Sequence, residues 1–240
     1  MKAICIIPVK GHSTRLPGKH KKELLGQPLF YYALSAALES NCFEEVHVSS
    51  DHTEILDLAA TITGVMVDLR PESIRGDGFS APEVAAELAQ RLGGTVTFDS
   101  VCILNACCPL VRPFHLTEAK ELFERTRASA IETVVRSRFD PRYHYTIDSG
   151  FLKRTWNAKK IQSNHAPAFY FGNGAFSWIQ TDLLIRERTC FLPSLVPYVM
   201  EEEYSYDIDT QEDFLQAEAQ LRRIIVQQLR IDPIVEGHHD

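Results

Sequence analysis

The chain has 240 residues, 45% of them hydrophobic and 24% charged, with a formal net charge of −7. That length and apolar share suit one large soluble domain, or one domain with an appendage, around a sizeable core. The acidic balance argues against general nucleic-acid binding, and no run approaches the roughly 20 apolar residues of a membrane helix.

The first residues lack the basic-then-apolar order of a signal peptide: Met1-Lys2 leads straight into a short apolar run, 3–7. That run predicts a buried strand. Directly after it comes Pro8-Val9-Lys10-Gly11-His12-Ser13-Thr14-Arg15-Leu16-Pro17-Gly18-Lys19. A loop of small residues and cations at the carboxyl end of a first strand is built to hold phosphate. Small residues let backbone N–H groups approach the anion, and Lys10, Arg15 and Lys19 neutralise its charge. The loop is not a Walker A sequence, because His20 stands where Ser or Thr would follow Gly18-Lys19. It is not G-x-G-x-x-G either. A nucleoside triphosphate is the expected ligand.

Further β-branched, apolar runs at 45–49, 65–69, 101–104 and 131–135 predict strands. Helical spacing predicts helices over 28–40, 53–61, 82–92 and 113–127, with Asp51 or Thr53 capping the second. This alternation implies an α/β fold with a mostly parallel sheet covered on both faces. Ligands in such sheets lie at the carboxyl ends of strands, so the loops after 8, 50, 69 and 105 are expected to converge. Arg70, between a strand and Pro71, can point into that site or form a structural salt bridge.

From 138 to 173 the periodicity breaks, and Tyr143, His144, Tyr145, Trp156, Phe169, Tyr170 and Phe171 crowd together. This segment reads as an arm inserted in a single 1–240 domain, and more as a dimer surface than as a ligand wall. A last helix is expected over 211–229, with Phe214, Leu215, Ala217, Leu221, Ile224 and Ile225 largely on one side. Just before it stands Asp207-Ile208-Asp209. If this stretch is extended, its two carboxylates share a side and can face one hard cation such as Mg²⁺. The same stretch can also start the helix, with Asp209 or Thr210 as cap. Cysteines at 5, 42, 102, 107, 108 and 190 form no C-x-x-C, which fits free thiols in a reducing cytoplasm. No G-x-S-x-G occurs, and the nine histidines show no catalytic pairing, so hydrolase chemistry is rejected.

Taken in order, several blocks resemble the sugar-acid cytidylyltransferases, which make CMP-sialic, CMP-legionaminic, CMP-pseudaminic and CMP-Kdo products. They are Ser13-Thr14-Arg15-Leu16-Pro17-Gly18-Lys19 with Leu25-Gly26-Gln27-Pro28-Leu29, Val48-Ser49-Ser50-Asp51, and Arg70-Pro71-Glu72 with Asp77. Ile103-Leu104-Asn105, Asn173-Gly174-Ala175-Phe176 and Tyr206-Asp207-Ile208-Asp209-Thr210 follow. The resemblance implies a Rossmann-like nucleotidyltransferase fold with a small dimerisation arm, hence a cytoplasmic homodimer. It also implies transfer of CMP from CTP to a 2-keto-3-deoxy sugar acid, with release of pyrophosphate. Lys10, Arg15 and Lys19 would act on the triphosphate, and Ser13, Thr14, His20 and Arg70 would hold the nucleotide. Ser80 would read the cytosine ring, unless it caps the helix before Pro82. Asn105, Gln162 and Asn173 would meet the sugar acid, and Asp207 and Asp209 would hold Mg²⁺. The chain departs from the sialic-type pattern at Lys10, where Arg is usual, at His20, which replaces Asn, and at Asn105, which replaces Gln. The Thr14-Arg15 pair follows the Kdo type, and 159–165 lacks the usual arginine stretch, leaving Gln162 or Lys160 to substitute. A CMP-Kdo or hexose-1-phosphate type enzyme and a non-catalytic nucleotide-binding homologue are the alternatives.

Overall fold

The computed structural model describes residues 1–76, 78–155 and 167–231. Gln162, Lys160, Trp156 and Asp77 lie outside them. Seven strands form the main sheet: β1 (Ala3–Val9), β4 (Glu45–Ser50), β5 (Val65–Leu69), β6 (Ser100–Leu104), β7 (Ala130–Arg136), β10 (Tyr170–Gln180) and β11 (Leu195–Val199). Their order is β11-β7-β10-β6-β1-β4-β5. Strand β1 pairs in parallel with both β4 and β6, which is why its side chains are almost all buried. Strand β10 runs antiparallel between β6 and β7, while β7 and β11 are parallel. The mostly parallel sheet expected from the sequence is therefore present, with one reversed strand that the sequence pattern did not reveal.

The helices α1 (Leu29–Ser40), α2 (Thr53–Ala60) and α4 (Pro113–Thr126) cover one face. There Trp178 of β10 stacks on Phe43 at 5.2 Å and donates its indole N–H to Ser100 Oγ. On the other face lie α3 (Ala81–Arg91) and α5 (Thr181–Glu187). The expected helix cap at 51 or 53 is not used. His52 occupies the cap position of α2 without a side-chain bond, because Asp51 is engaged elsewhere.

A third apolar cluster positions the site. Leu16, Leu24, Leu110 and Ile208 pack with Phe214, Ala217, Leu221 and Ile224 of α6 (Gln211–Ile231). This cluster ties the loop after β1, the short ribbon of β2 (Glu23–Leu24) and β3 (Gln27–Pro28), and the segment before α6 into one unit. Leu215 and Ile225, expected on the same apolar side, are instead exposed. At the start of α6, Thr210 Oγ1 accepts from the Asp213 N–H, and Asp213 Oδ2 accepts from the N–H groups of Asp209 and Thr210. Within the arm, β8 (Tyr145–Asp148) and β9 (Phe151–Arg154) make a hairpin. Its turn residues Ser149 and Gly150 have φ of 50° and 86°, the primed turn that suits a two-residue hairpin loop.

Candidate active site

A cleft of about 450 Å³ opens at the carboxyl ends of β1, β5 and β6. Its lining takes Lys10, Ser13, Thr14, Arg15, Lys19 and His20 from the loop after β1, Arg70 from beyond β5 and Asn105 from beyond β6. The loop is shaped by two glycines. Gly18 has φ of 68° and begins the single turn that presents Lys19 and His20. Gly11 passes so close to His52 that an added Cβ would sit 2.7 Å from its side chain. Asp51 bolts this stretch to the end of β4 by accepting the Gly11 N–H at 2.8 Å. Burial works against the Asp51 carboxylate, yet the Gly11 bond and the Arg70 charge hold it below the usual carboxylate range. Sequence reasoning overlooked this anchor, although an aspartate directly after a buried strand is the signal that marks it.

Two cations converge on Asp209. Lys19 Nζ donates to Asp209 Oδ1 at 3.1 Å and to the Ile208 carbonyl at 2.9 Å, while Arg15 Nη1 meets Asp209 Oδ2 at 2.8 Å. Lys19 is nearly buried and Arg15 largely exposed. Burial opposes the Lys19 charge, but the neighbouring Cys107 and Asp209 lift its ammonium above the ordinary value. Asp207 is not in the cleft lining and is tied to it by Asn105, whose Nδ2 approaches Oδ1 at 3.4 Å. Burial and the Asp209 charge push its carboxyl upward, opposed by the Lys19 charge and the Asn105 contact.

Arg70 is 1% exposed. Its Nη2 donates to the carbonyls of Val9 and Ser49 at 3.1 and 3.0 Å, and among the described residues its Nε and Nη1 have no partner. Unpaired buried donors beside a cleft are costly unless a ligand accepts from them. Burial pulls the guanidinium down from its usual value, opposed by Asp51 and Asp68. His20, also buried, is pushed down to about 4 by burial and by the charges of Lys19 and Arg70. It is therefore neutral at pH 7. Cys107, 3.8 Å from His20 Nδ1, is pushed up to about 11 by burial and stays a thiol.

The comparisons with known proteins agree with this geometry. The family described as Cytidylyltransferase matches residues 4–234, nearly the whole chain. The chain belongs to the cytidylyltransferase family. It is similar to a pseudaminic acid cytidylyltransferase of Campylobacter jejuni, 28% identical over 223 residues, covering 89% of this chain and 93% of that protein. It is also similar to a CMP-N,N'-diacetyllegionaminic acid synthase of Legionella pneumophila, 29% identical over 219 residues, covering 89% and 94%. Among solved structures, CMP:2-keto-3-deoxy-manno-octonic acid synthetase complexed with CTP superposes with a TM-score of 0.71. It is 14% identical, covering 93% of this chain and 100% of that one. At that identity the likeness establishes the fold, the Rossmann-like nucleotidyltransferase architecture.

In this cytidylyltransferase the remaining sequence candidates divide. Ser80 is exposed and caps α3: its Oγ accepts the Glu83 N–H at 3.4 Å, and Glu83 Oε2 accepts from the Ser80 N–H at 2.8 Å. The neighbours Phe79, Ala81 and Pro82 line the cleft instead. Asn173 donates to Ser205 Oγ at 2.8 Å, bracing the segment before α6, while the adjacent Gly174 reaches the cleft. Asn105 does line it, and Nδ2 also donates to the Gly174 carbonyl at 3.0 Å. Gln162 falls outside the described residues. Sequence reasoning missed Phe79, Cys107, Phe176, Ser177 and Cys190 in the lining.

Proposed function

We propose that this cytidylyltransferase transfers CMP from CTP to a 2-keto-3-deoxy sugar acid of the sialic, legionaminic or pseudaminic kind. The observation that carries the reading is the convergence of Lys19 and Arg15 on Asp209 at one cleft, with the two unpaired nitrogens of Arg70 in its wall. The names of the two curated relatives support the choice of acceptor. The anomeric hydroxyl of the sugar acid attacks the α-phosphorus. The bond to the bridging oxygen breaks, pyrophosphate carries off the electron pair, and the hydroxyl proton passes to solvent. Reactions of this kind depend on positioning and charge neutralisation.

Arg15, exposed and paired among the described residues with Asp209, can turn onto the triphosphate, because an exposed pair is worth at most about 1 kcal/mol. Lys19 is fixed in the wall and supplies a positive charge already oriented. Lys10, Ser13 and Thr14 complete the loop around the phosphates. Neutral His20 and protonated Cys107 offer neither a proton at pH 7 nor a thiolate nucleophile, which supports direct attack over a covalent cysteine intermediate. Asp207 and Asp209 suit Mg²⁺: like charges crowd there, and among the described residues Asp207 has only the long contact from Asn105 to satisfy it. Among the described residues no cluster of three or more His, Cys, Asp or Glu could hold an ion, so the pair fits a cation that takes its other ligands from phosphate and water. Bound there, Mg²⁺ would supply charge to offset the triphosphate.

The arm supports a homodimer. Phe139, Ile147, Phe151 and Leu152 are each at least 70% exposed, a concentration of apolar surface that a second copy would cover. A cytoplasmic setting agrees with six free cysteines.

The test is pyrophosphate release from each of the four nucleoside triphosphates with a panel of sugar acids, with and without Mg²⁺. Release with CTP and one nine-carbon acid is expected. CTP binding without release for any acid would instead support a non-catalytic nucleotide-binding protein.

A further inference from the structure

The cleft continues past the reaction centre, along β6 towards β10. Ser177 and Cys190 line this end, beside Ile103. Behind them stands Glu132 of β7, directly opposite Ser177 in the sheet register. Ser177 Oγ donates to Glu132 Oε2 at 2.7 Å, and Cys190 lies against the same hydroxyl. The register of β10 shifts between Gly172 and Ser177, and the Glu132 carboxylate sits beneath that irregularity. A Cβ on Gly172 would lie 3.6 Å from Glu132 Oε1, an ordinary contact that places Gly172 of β10 beside the carboxylate. Bulges of this sort cluster beside active sites, where they re-aim side chains.

Glu132 is partly buried, and among the described residues Ser177 is its only hydrogen-bond partner and no cation pairs with it. Burial raises its carboxyl above the usual range, against the Ser177 bond. A carboxylate withdrawn from water without a counter-charge weakens a fold, and neither core needs one at this position. An acceptor held in this way, three strands from β1 in the sheet order and directly behind the Ser177 hydroxyl that lines the cleft, has the chemistry to receive donors from a ligand.

We propose that Glu132, braced by Ser177, is an acceptor site for hydroxyl or amide N–H donors on the part of the sugar acid remote from its anomeric centre. It thereby helps select which acid is activated. This rests on the sugar-acid reading given above. Donors of this kind are what distinguish one polyhydroxylated, N-acylated acid from another. The triphosphate offers only acceptors and belongs to the opposite half of the cleft.

The experiment is steady-state kinetics and calorimetric binding in Glu132→Gln and Ser177→Ala, with sialic, legionaminic, pseudaminic and 2-keto-3-deoxy-octonic acids. Glutamine keeps the shape and the Ser177 bond while removing the charge. The KM and Kd of the preferred acid are expected to rise about tenfold in Glu132→Gln, the size of one lost charged hydrogen bond, with KM for CTP unchanged. Ser177→Ala should move the same constants in the same direction, by less. Unchanged acid constants in both variants, with an active wild type, overturn this inference and leave the functional reading standing. An equal rise in both KM values also overturns it, because that marks general damage. A wild type that binds CTP but neither binds nor turns over any acid overturns both.

Discussion

The two halves of the cleft are built on opposite principles. On the β1 side, a contiguous loop brings Lys10, Arg15, Lys19 and His20 together with Arg70 along one wall of the cleft. Positive charge there is abundant, and the protein spends Asp209 and Asp51 holding it in place. On the β10 side, single residues from β6 and β10 line the cleft, and behind Ser177, across an irregular register, stands Glu132, with which no cation pairs among the described residues. The first half suits any nucleoside triphosphate. The second has few groups, each placed by remote backbone, and suits discrimination. On the proposed reading, charge density marks where the common substrate binds, and sparse buried polarity marks where the particular one is chosen.

The largest expected effect breaks the hinge between the halves. Asp209→Ala should remove pyrophosphate release while leaving circular dichroism native. It frees Arg15, strips the nearly buried Lys19 of its counter-charge, and takes away half of the carboxylate pair. Full activity would show that the pair serves only to start α6.

Next in size is the response to acid, which rests on two buried histidines, His20 in the cation half and His115 in the first turn of α4. His20 is held at about 4, below its ordinary 6.5, as is the fully buried His115. Between pH 6.5 and 4 the unfolded chain binds protons that the folded one refuses, so stability is full above pH 6.5 and falls as pH drops. Each unit of separation is worth about 1.4 kcal/mol, so each histidine withdraws roughly 3 kcal/mol across that window. Denaturant unfolding from pH 7 to 4.5 should show the loss, and His20→Asn should flatten about half of it. An unchanged slope would mean that His20 is not buried neutral.

A paired measurement then separates the halves directly. Lys19→Ala should weaken CTP binding by about 1.5–3 kcal/mol, the range for a hydrogen bond to a charged group. Asn105→Ala should raise KM for the sugar acid with little change for CTP, because its amide reaches towards Asp207 and Gly174 and not towards the cation loop. If both variants moved the CTP constant equally, the division of the cleft would fail.

The same division explains what the sequence made legible. Strand β1 and the loop after it lie in one stretch of chain, so an apolar run followed by small residues and cations marks both the strand and the cation-rich wall of the cleft. The Asp207–Asp209 pair is likewise local. Strand β10 begins Tyr170-Phe171-Gly172-Asn173-Gly174, with aromatic and glycine residues in no period, because it is solvent-exposed at first and then passes through a register shift. Its place between β6 and β7 is decided by non-local pairing, which no short window contains. Glu132 likewise looks like an ordinary outward-facing strand residue until β10 lies beside it. The hairpin β8–β9 had a readable sign in Ser149-Gly150, the pair that supplies two positive φ values.

The smallest expected effect concerns a residue on the border between chemistry and structure. By resemblance Ser80 reads the cytosine ring, but its hydroxyl and its N–H are both committed to Glu83 in a reciprocal cap at the start of α3. Loss of an N-cap serine costs about 1 kcal/mol, which in a chain of this size lowers Tm by about 2–4 °C. Ser80→Ala should therefore show that drop with CTP affinity unchanged, since Phe79, Ala81 and Pro82, not the Ser80 hydroxyl, face the cleft. A loss of CTP affinity with no change in Tm would reverse the assignment and make the cap release its serine when nucleotide binds. The cation half would then include a group that its unliganded geometry conceals. Base selection would pass from the shape of the α3 entrance to a single hydroxyl.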